Sequence, residues 1–219
     1  MIKLVVFDWN GVLIADATAV VDIDNHLLKS FGRPPITMAQ YRNTFTMPVK
    51  NFFLNLGFSE QEMRDGAKKI QETFHARYEP RIAGVRTRAG AKELLEWLSK
   101  RNIKCIVLSN HTLRSIEAHA NRLGIRAYFS QIIGNDIHAT MHGKNKAEKL
   151  VNLVEQSPYR KDEVLIIGDS PEEAEAGRLA GVRSVGITGG YYSTKRLKEA
   201  NPDYLINNLS ALIDIIKKV

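Results

Sequence analysis

"KLVVFDWNGVLIAD", residues 3–16, decides how this chain is read. Four apolar residues, Leu4 to Phe7, run directly into Asp8, and Asn10-Gly11 makes a turn before the next apolar pair. A short continuous apolar run bounded by turn residues is the pattern of a strand buried on both faces. Such a strand ends here on a carboxylate, so the reading turns on what the rest of the chain brings to the same edge.

From residue 85 onward strand and helix patterns alternate. "TRAGAKELLEWLSKRN" (87–102) carries Ala91, Leu94, Leu95 and Leu98 at helical spacing. "IKCIVLSN" (103–110) reads as a second doubly buried strand. "TLRSIEAHANRLGI" (112–125) reads as a helix with Thr112 as N-cap and Gly124 at its C-terminal end. "YFSQIIGND" (128–136) is a short strand and turn, and "KNKAEKLVNLVEQS" (144–157) an amphipathic helix. "DEVLIIGDS" (162–170) is the clearest strand. "PEEAEAGRLAG" (171–181) opens with proline and two acids, both favourable in a first helical turn. "VRSVGIT" and "DYLINNL" are further short strands, and "SALIDIIKKV" closes the chain as a helix.

This alternation predicts an α/β fold, a parallel sheet with helices on both faces. Residues 16–82 differ: helical patterns broken at Pro34-Pro35, Pro48 and Pro80, with no strong strand. They are expected to form a small all-helical cap domain inserted after the first strand, with 1–15 and 83–219 as the core domain. Hinges fall near residues 14–18 and 80–85.

In open parallel sheets ligands bind beyond the carboxyl ends of the strands. Asp8, Ser109 and Asp169 each fall at the end of an apolar run, so three segments distant in sequence converge on one edge. An aspartate there can attack phosphorus as a nucleophile. A divalent cation would neutralise charge on the transferring group, and Mg²⁺ takes one or two carboxylates together with waters and substrate oxygens. Asp169 is the expected second metal ligand; Glu173 would reach a metal-bound water, and Glu172 would face away. The Ser109 hydroxyl and the Asn110 amide would bind phosphoryl oxygens, with Lys144 as the cation for them and for Asp8.

These motifs resemble the haloacid dehalogenase superfamily, in the subgroup with a small helical cap. "FDWNGVL" is similar to its first motif, "VLSN" to its second, Lys144 to its third and "GDSPEEAEAGRLAG" to its fourth, in the family's order. The resemblance implies a Rossmann-like doubly wound core, Mg²⁺ held by Asp8, the Asn10 carbonyl and Asp169, and Glu173 and Ser170 behind them. It also implies phosphatase activity through an aspartyl-phosphate on Asp8. The family's glycolate-phosphate and sugar-phosphate phosphatases are closest in length and layout.

Asn10 departs from the pattern. Family phosphatases place an aspartate there that protonates the leaving group, a contribution of typically 10²–10⁴-fold. An amide cannot titrate. Three readings follow: a phosphatase with another base, His111 or His142 being nearest in sequence; a phosphonoacetaldehyde hydrolase-like C–P cleavage using Lys50; or a binding protein with impaired catalysis. Arg42, Lys50 and Asn51 are the expected cap contacts to substrate.

Composition bounds the rest. The 219 residues are 44% hydrophobic and 25% charged, and the single cysteine, Cys105, lies within an apolar run and is expected in the core. The net charge of +7 is spread among acids without a basic block, which fits a small anionic phosphorylated substrate better than nucleic acid. No run reaches the roughly 18 apolar residues of a membrane span. Asp8 interrupts the first apolar run, so no signal peptide is expected, and the reading is cytoplasmic, a monomer or homodimer.

Overall fold

The computed structural model describes residues 1–135 and 146–219. Its elements, in order, are β1 (Leu4–Phe7), α1 (Ala17–Ser30), α2 (Met38–Thr44), α3 (Val49–Asn55), α4 (Glu60–Ile82), α5 (Ala91–Ser99) and β2 (Lys104–Thr112). There follow α6 (Leu113–Arg122), β3 (Phe129–Asn135), α7 (Lys146–Gln156), β4 (Val164–Gly168) and α8 (Pro171–Ala180). The last are β5 (Arg183–Ile187), α9 (Thr194–Glu199), β6 (Tyr204–Ile206) and α10 (Ala211–Lys218).

The six strands form one sheet in the order β3-β2-β1-β4-β5-β6, and every neighbouring pair is parallel. That is the doubly wound order whose sense reverses at β1. Burial follows the alternation along each strand. Val5, Phe7, Leu165 and Ile167 join one apolar cluster, whereas Leu4, Val6, Val164 and Ile166 join the other. Both faces are therefore covered, which is why these strands read as unbroken apolar runs.

β2 runs past the expected end at Asn110 to Thr112, and its pairing with β3 slips between Leu108 and Thr112. Ser109 and Asn110 thus sit on an irregular final stretch of strand. Thr112 precedes α6 as expected, but its side chain makes no capping bond.

Between β1 and α5 the described residues form four helices and no regular strand. α1 packs on α4 and α2, and α3 packs on α4. α2 and α4 each begin with a reciprocal capping box, Thr37 with Gln40 and Ser59 with Glu62, which satisfies two orphan donors per helix. The chain passes between helices and sheet along paired segments: Ala15 N–H donates to the Arg86 carbonyl, and Arg88 N–H to that of Leu13. Helix residues Tyr41, Phe52, Phe53 and Tyr78 belong to the same apolar cluster as one face of the sheet. Cys105 is buried, and burial pushes its thiol up to about 12, which leaves it an inert core residue. No helix among the described residues is long and apolar enough to cross a membrane.

Phe52 is fully buried, its ring 5.1 Å from Tyr41, 5.4 Å from Phe45 and 5.3 Å from Phe53. Phe52→Ala should cost about 3–5 kcal/mol, read as a lower urea midpoint at unchanged slope. A shift below about 1 kcal/mol would show that these helices do not depend on this ring cluster.

Candidate active site

β1 lies between β2 and β4, where the strand order reverses and a crevice opens at the carboxyl ends. Asp8 follows β1, Asp169 follows the glycine that ends β4, Ser109 and Asn110 lie in the last stretch of β2, and Lys146 opens α7. Five of these, with Ser170, line one cavity of about 170 Å³ roofed by side chains of the helical segment: Asp8, Asp169, Ser109, Asn110 and Lys146.

Lys146 is the charge at its centre. It is 3% exposed, and its Nζ lies 3.1 Å from Asp8 Oδ2, 2.5 Å from Glu173 Oε1 and 3.9 Å from Glu172 Oε2. Burial opposes its charged form, but the three carboxylates outweigh burial and hold it well above its ordinary value. The cation expected here was Lys144, which lies outside the described residues, as does His142. The lysine that the structure places against Asp8 is Lys146. α7 explains why: Lys146, Leu150 and Val154 are its buried residues, four apart on one face.

Asp8 Oδ1 accepts from the Trp9 amide at 2.7 Å. Burial raises Asp8 to about 6; Lys146 lowers it and Glu173 raises it. Burial, then Asp8 and Glu173, also push Asp169 well above the carboxylate range, although its Oδ2 accepts from Tyr191 N–H at 2.5 Å. Glu173 is buried beneath this edge and accepts from the Ser170 amide and hydroxyl as well as from Lys146. A Cβ on Gly168 would strike Glu173 directly, so glycine before Asp169 makes room for that carboxylate. Glu172, expected to face away, instead lines the cavity and accepts from Asn110 Nδ2 at 2.8 Å. The first turn of α8 thus presents both acids inward: one through the capping box, one through Asn110.

Asn10 is held by a buried partner absent from the sequence reading. Its Nδ2 donates to Asp16 Oδ2 at 2.6 Å and to the Tyr78 hydroxyl at 2.9 Å. Asp16 also accepts from Gly11 N–H at 2.9 Å, Tyr191 Oη at 2.8 Å and Tyr78 Oη at 3.2 Å. Burial still raises the Asp16 carboxyl above its usual range. His111, one of the expected bases, does line the cavity, edge-on to Tyr78 with ring centroids 4.9 Å apart. Burial, then the neighbouring His119 and His75, lower it to about 3, so it is a neutral imidazole and a weak base near neutrality.

The expected cap contacts fall elsewhere, and none lines the cavity among the described residues. Arg42 donates to the carbonyls of Gly190 and Gly189 at 2.9 and 2.8 Å, pinning α2 to the loop after β5. Lys50 pairs with Glu60 at 2.6 Å, and Asn51 is exposed. The roof is built instead from Val20, Asp24, Tyr41, Phe45, Phe74 and Tyr78, closed from the loop after β5 by Tyr191 and Tyr192. "GGYYS" after a core strand was the available sign for those tyrosines, since loops at carboxyl ends face the crevice.

The donor set suits a hard divalent cation. Asp8, Glu172 and Glu173 face one ammonium, Asp169 lies close enough to Asp8 and Glu173 to be raised by both, and a Cβ on Gly11 or Gly190 would strike the Asp169 carboxylate. No cluster of three or more metal-ligating side chains occurs among the described residues. Two carboxylates, a backbone carbonyl and water are a ligand set that Mg²⁺ accepts.

The model of the haloacid dehalogenase-like hydrolase family matches residues 5–187, and the chain belongs to that family. Similar curated proteins include the phosphoglycolate phosphatase of Synechococcus elongatus, 25% identical over 99% of this chain and 98% of its own length. That of Pseudomonas fluorescens Pf-5 is 27% identical over 96% of this chain and 78% of its own. Among solved structures, a haloacid dehalogenase-like hydrolase of Streptococcus pneumoniae superposes with a TM-score of 0.82 at 19% identity, covering 98% of each chain.

The Asn10–Asp16 contact makes a test. In Asn10→Asp a second buried carboxyl would stand where the amide now donates, so the pair would hold a proton more tightly folded than unfolded. That penalty is absent below about pH 4 and grows as pH rises. Asn10→Asp should lose about 2–4 kcal/mol relative to the native chain at pH 7.5 and little at pH 4.5. Adding Asp16→Asn, which restores one carboxyl facing one amide, should recover most of it. A pH-independent loss in chemical denaturation would refute the shared-proton account.

Proposed function

We propose that the protein is a Mg²⁺-dependent phosphatase of a small phosphorylated metabolite, acting through an aspartyl-phosphate on Asp8, with residues 16–82 as a cap over a Rossmann-like core. The observation that carries this reading is Asp8 at the tip of β1, 3.1 Å from a buried ammonium and inside a roofed cavity. The names of the curated relatives support phosphate-ester chemistry.

In this reading Asp8 Oδ attacks phosphorus in line with the leaving oxygen, and Lys146 holds Asp8 oriented and ionised. Ser109, the Asn110 amide and Lys146 receive the non-bridging oxygens, and Lys144 remains a candidate for the same task. Asp8, Asp169 and the Asn10 carbonyl would hold Mg²⁺, backed by Glu173 and Ser170. Bound there, the cation would neutralise charge on the transferring phosphoryl group. The roof excludes water during transfer, after which water must enter to hydrolyse the acyl phosphate. Asn10 plays no part as proton carrier: its amide is spent on Asp16 and Tyr78.

The C–P cleavage reading loses its basis, because Lys50 is paired with Glu60 and lies off the cavity. Binding without turnover is the outcome that the assay must exclude.

Phosphate release from phenyl phosphate should require Mg²⁺ and fall at least about 10³-fold in Asp8→Asn. Chelator-insensitive release, or an Asp8→Asn variant near native rate, would remove Asp8 from the chemistry. Specific Mg²⁺-dependent binding of phosphate esters without any release would favour the binding protein.

A further inference from the structure

The roof of the cavity points to a substrate class different from the one for which the relatives are named. The inference rests on the phosphatase reading and concerns the same site.

The first observation is the chemistry of the walls. Away from the sheet edge the cavity is lined by Val20, Leu27, Val49, Phe53, Ile70 and Phe74. Aromatic rings close it: Phe45 lies 5.0 Å from Tyr41, 5.4 Å from Tyr191 and 5.6 Å from Tyr192, while Phe74 stacks on Tyr78 at 5.4 Å. Among the described lining residues Lys146 is the one Lys or Arg, and it already faces three carboxylates. Burial lowers both lining histidines, His75 and His111. A second carboxylate on the substrate, as in phosphoglycolate, would be desolvated against these apolar walls, where the described residues offer no second Lys or Arg.

The second observation is independent of the walls. Asn10 cannot titrate and His111 is a neutral imidazole near neutrality, so neither supplies a proton to a departing oxygen. A leaving group stable as an anion avoids that need, and a phenol, ordinarily near 10, is such a group.

Size and polarity then narrow the choice. The cavity of about 170 Å³ must hold the phosphoryl group as well as the leaving group, and since roughly 150 Å³ accepts a benzene ring, the leaving group is limited to a single ring. Burial raises Asp24 to about 8, which keeps its proton available as a donor near neutrality. The Tyr41 hydroxyl interacts with Asp24 and lowers that value, and the buried His111 Nε2 makes no hydrogen bond among the described residues. Buried polar atoms left without partners are costly, and a polar substituent on a ligand would satisfy them.

We infer that this site takes phosphate monoesters of uncharged, ring-sized phenols, the ring lying among the aromatic walls and one polar substituent meeting Asp24 and Tyr41. In the transfer an Asp8 oxygen bonds to phosphorus as the phosphorus–aryl oxygen bond breaks. The electron pair leaves on the phenoxide, which takes its proton from water. Hydrolysis of the acyl phosphate returns Asp8 and orthophosphate.

Two inert isosteres test the assignment by calorimetry on the native full chain with Mg²⁺: benzylphosphonate for phenyl phosphate, and 3-phosphonopropanoate for phosphoglycolate. Benzylphosphonate should bind at least about tenfold more tightly. Equal or tighter binding of 3-phosphonopropanoate, or binding of neither, overturns the inference. Phenyl phosphate hydrolysis measured beside it separates the two levels. Preference for benzylphosphonate without turnover rejects the phosphatase reading and upholds the ligand class. Turnover with preference for 3-phosphonopropanoate rejects the ligand class and upholds the phosphatase.

Discussion

The buried carboxylate of Asp16 is the contact on which the site depends. Its four donors come from separate stretches of chain: Asn10 and Gly11 in the turn after β1, Tyr78 near the end of α4, and Tyr191 after β5. A fully buried carboxylate is tolerable only when so satisfied, so each of these stretches is held in place by the same group. With Tyr191 fixed, its amide reaches Asp169 and its ring closes the cavity beside Phe45. The Arg88 guanidinium, donating to the carbonyls of Gly11 and Thr188, ties the same two loops from the other side. Asn10 is an amide because its neighbour is an acid: the position that family phosphatases give to a proton carrier here supplies a donor to Asp16.

A second constraint is charge. The edge of the sheet collects Asp8, Glu172 and Glu173 around Lys146 with Asp169 beside them, and after burial the neighbouring carboxylates raise Asp8 and Asp169 further. Such a cluster is a poor device for stability, since removing the ammonium would strand buried carboxylates. It is a suitable device for receiving a divalent cation and a phosphoryl group together. The helical roof answers with the opposite character, apolar and aromatic, and the phosphate end of a substrate is thereby distinguished from its leaving group.

Much of this was legible beforehand, for identifiable reasons. Asp8, Ser109 and Asp169 stood out because strands buried on both faces are unbroken apolar runs, and the sheet order fixes where their ends meet. The choice of lysine was also within reach. Lys146 shares the four-residue spacing of Leu150 and Val154, whereas the reading followed motif order to Lys144. Glu172 was misjudged because helical spacing alone does not reveal a partner such as Asn110 on another element. The roof was not legible. Its residues are ordinary apolar and aromatic side chains on helices, and whether Arg42 faces a cavity or a backbone carbonyl depends on how helix and loop pack, which local sequence does not encode. Asp16 was hidden for the same reason, its four partners lying as far as Tyr191 along the chain.

The central claim is that Asp8 carries the phosphoryl group, and the most direct measurement is to catch it there. The native protein turning over phenyl phosphate with Mg²⁺ would be quenched in acid, digested, and its peptides weighed. The account predicts one phosphoryl group, labile to base, on the peptide containing Asp8. Sustained turnover with that peptide unmodified and the group on another residue, or on none, would contradict it.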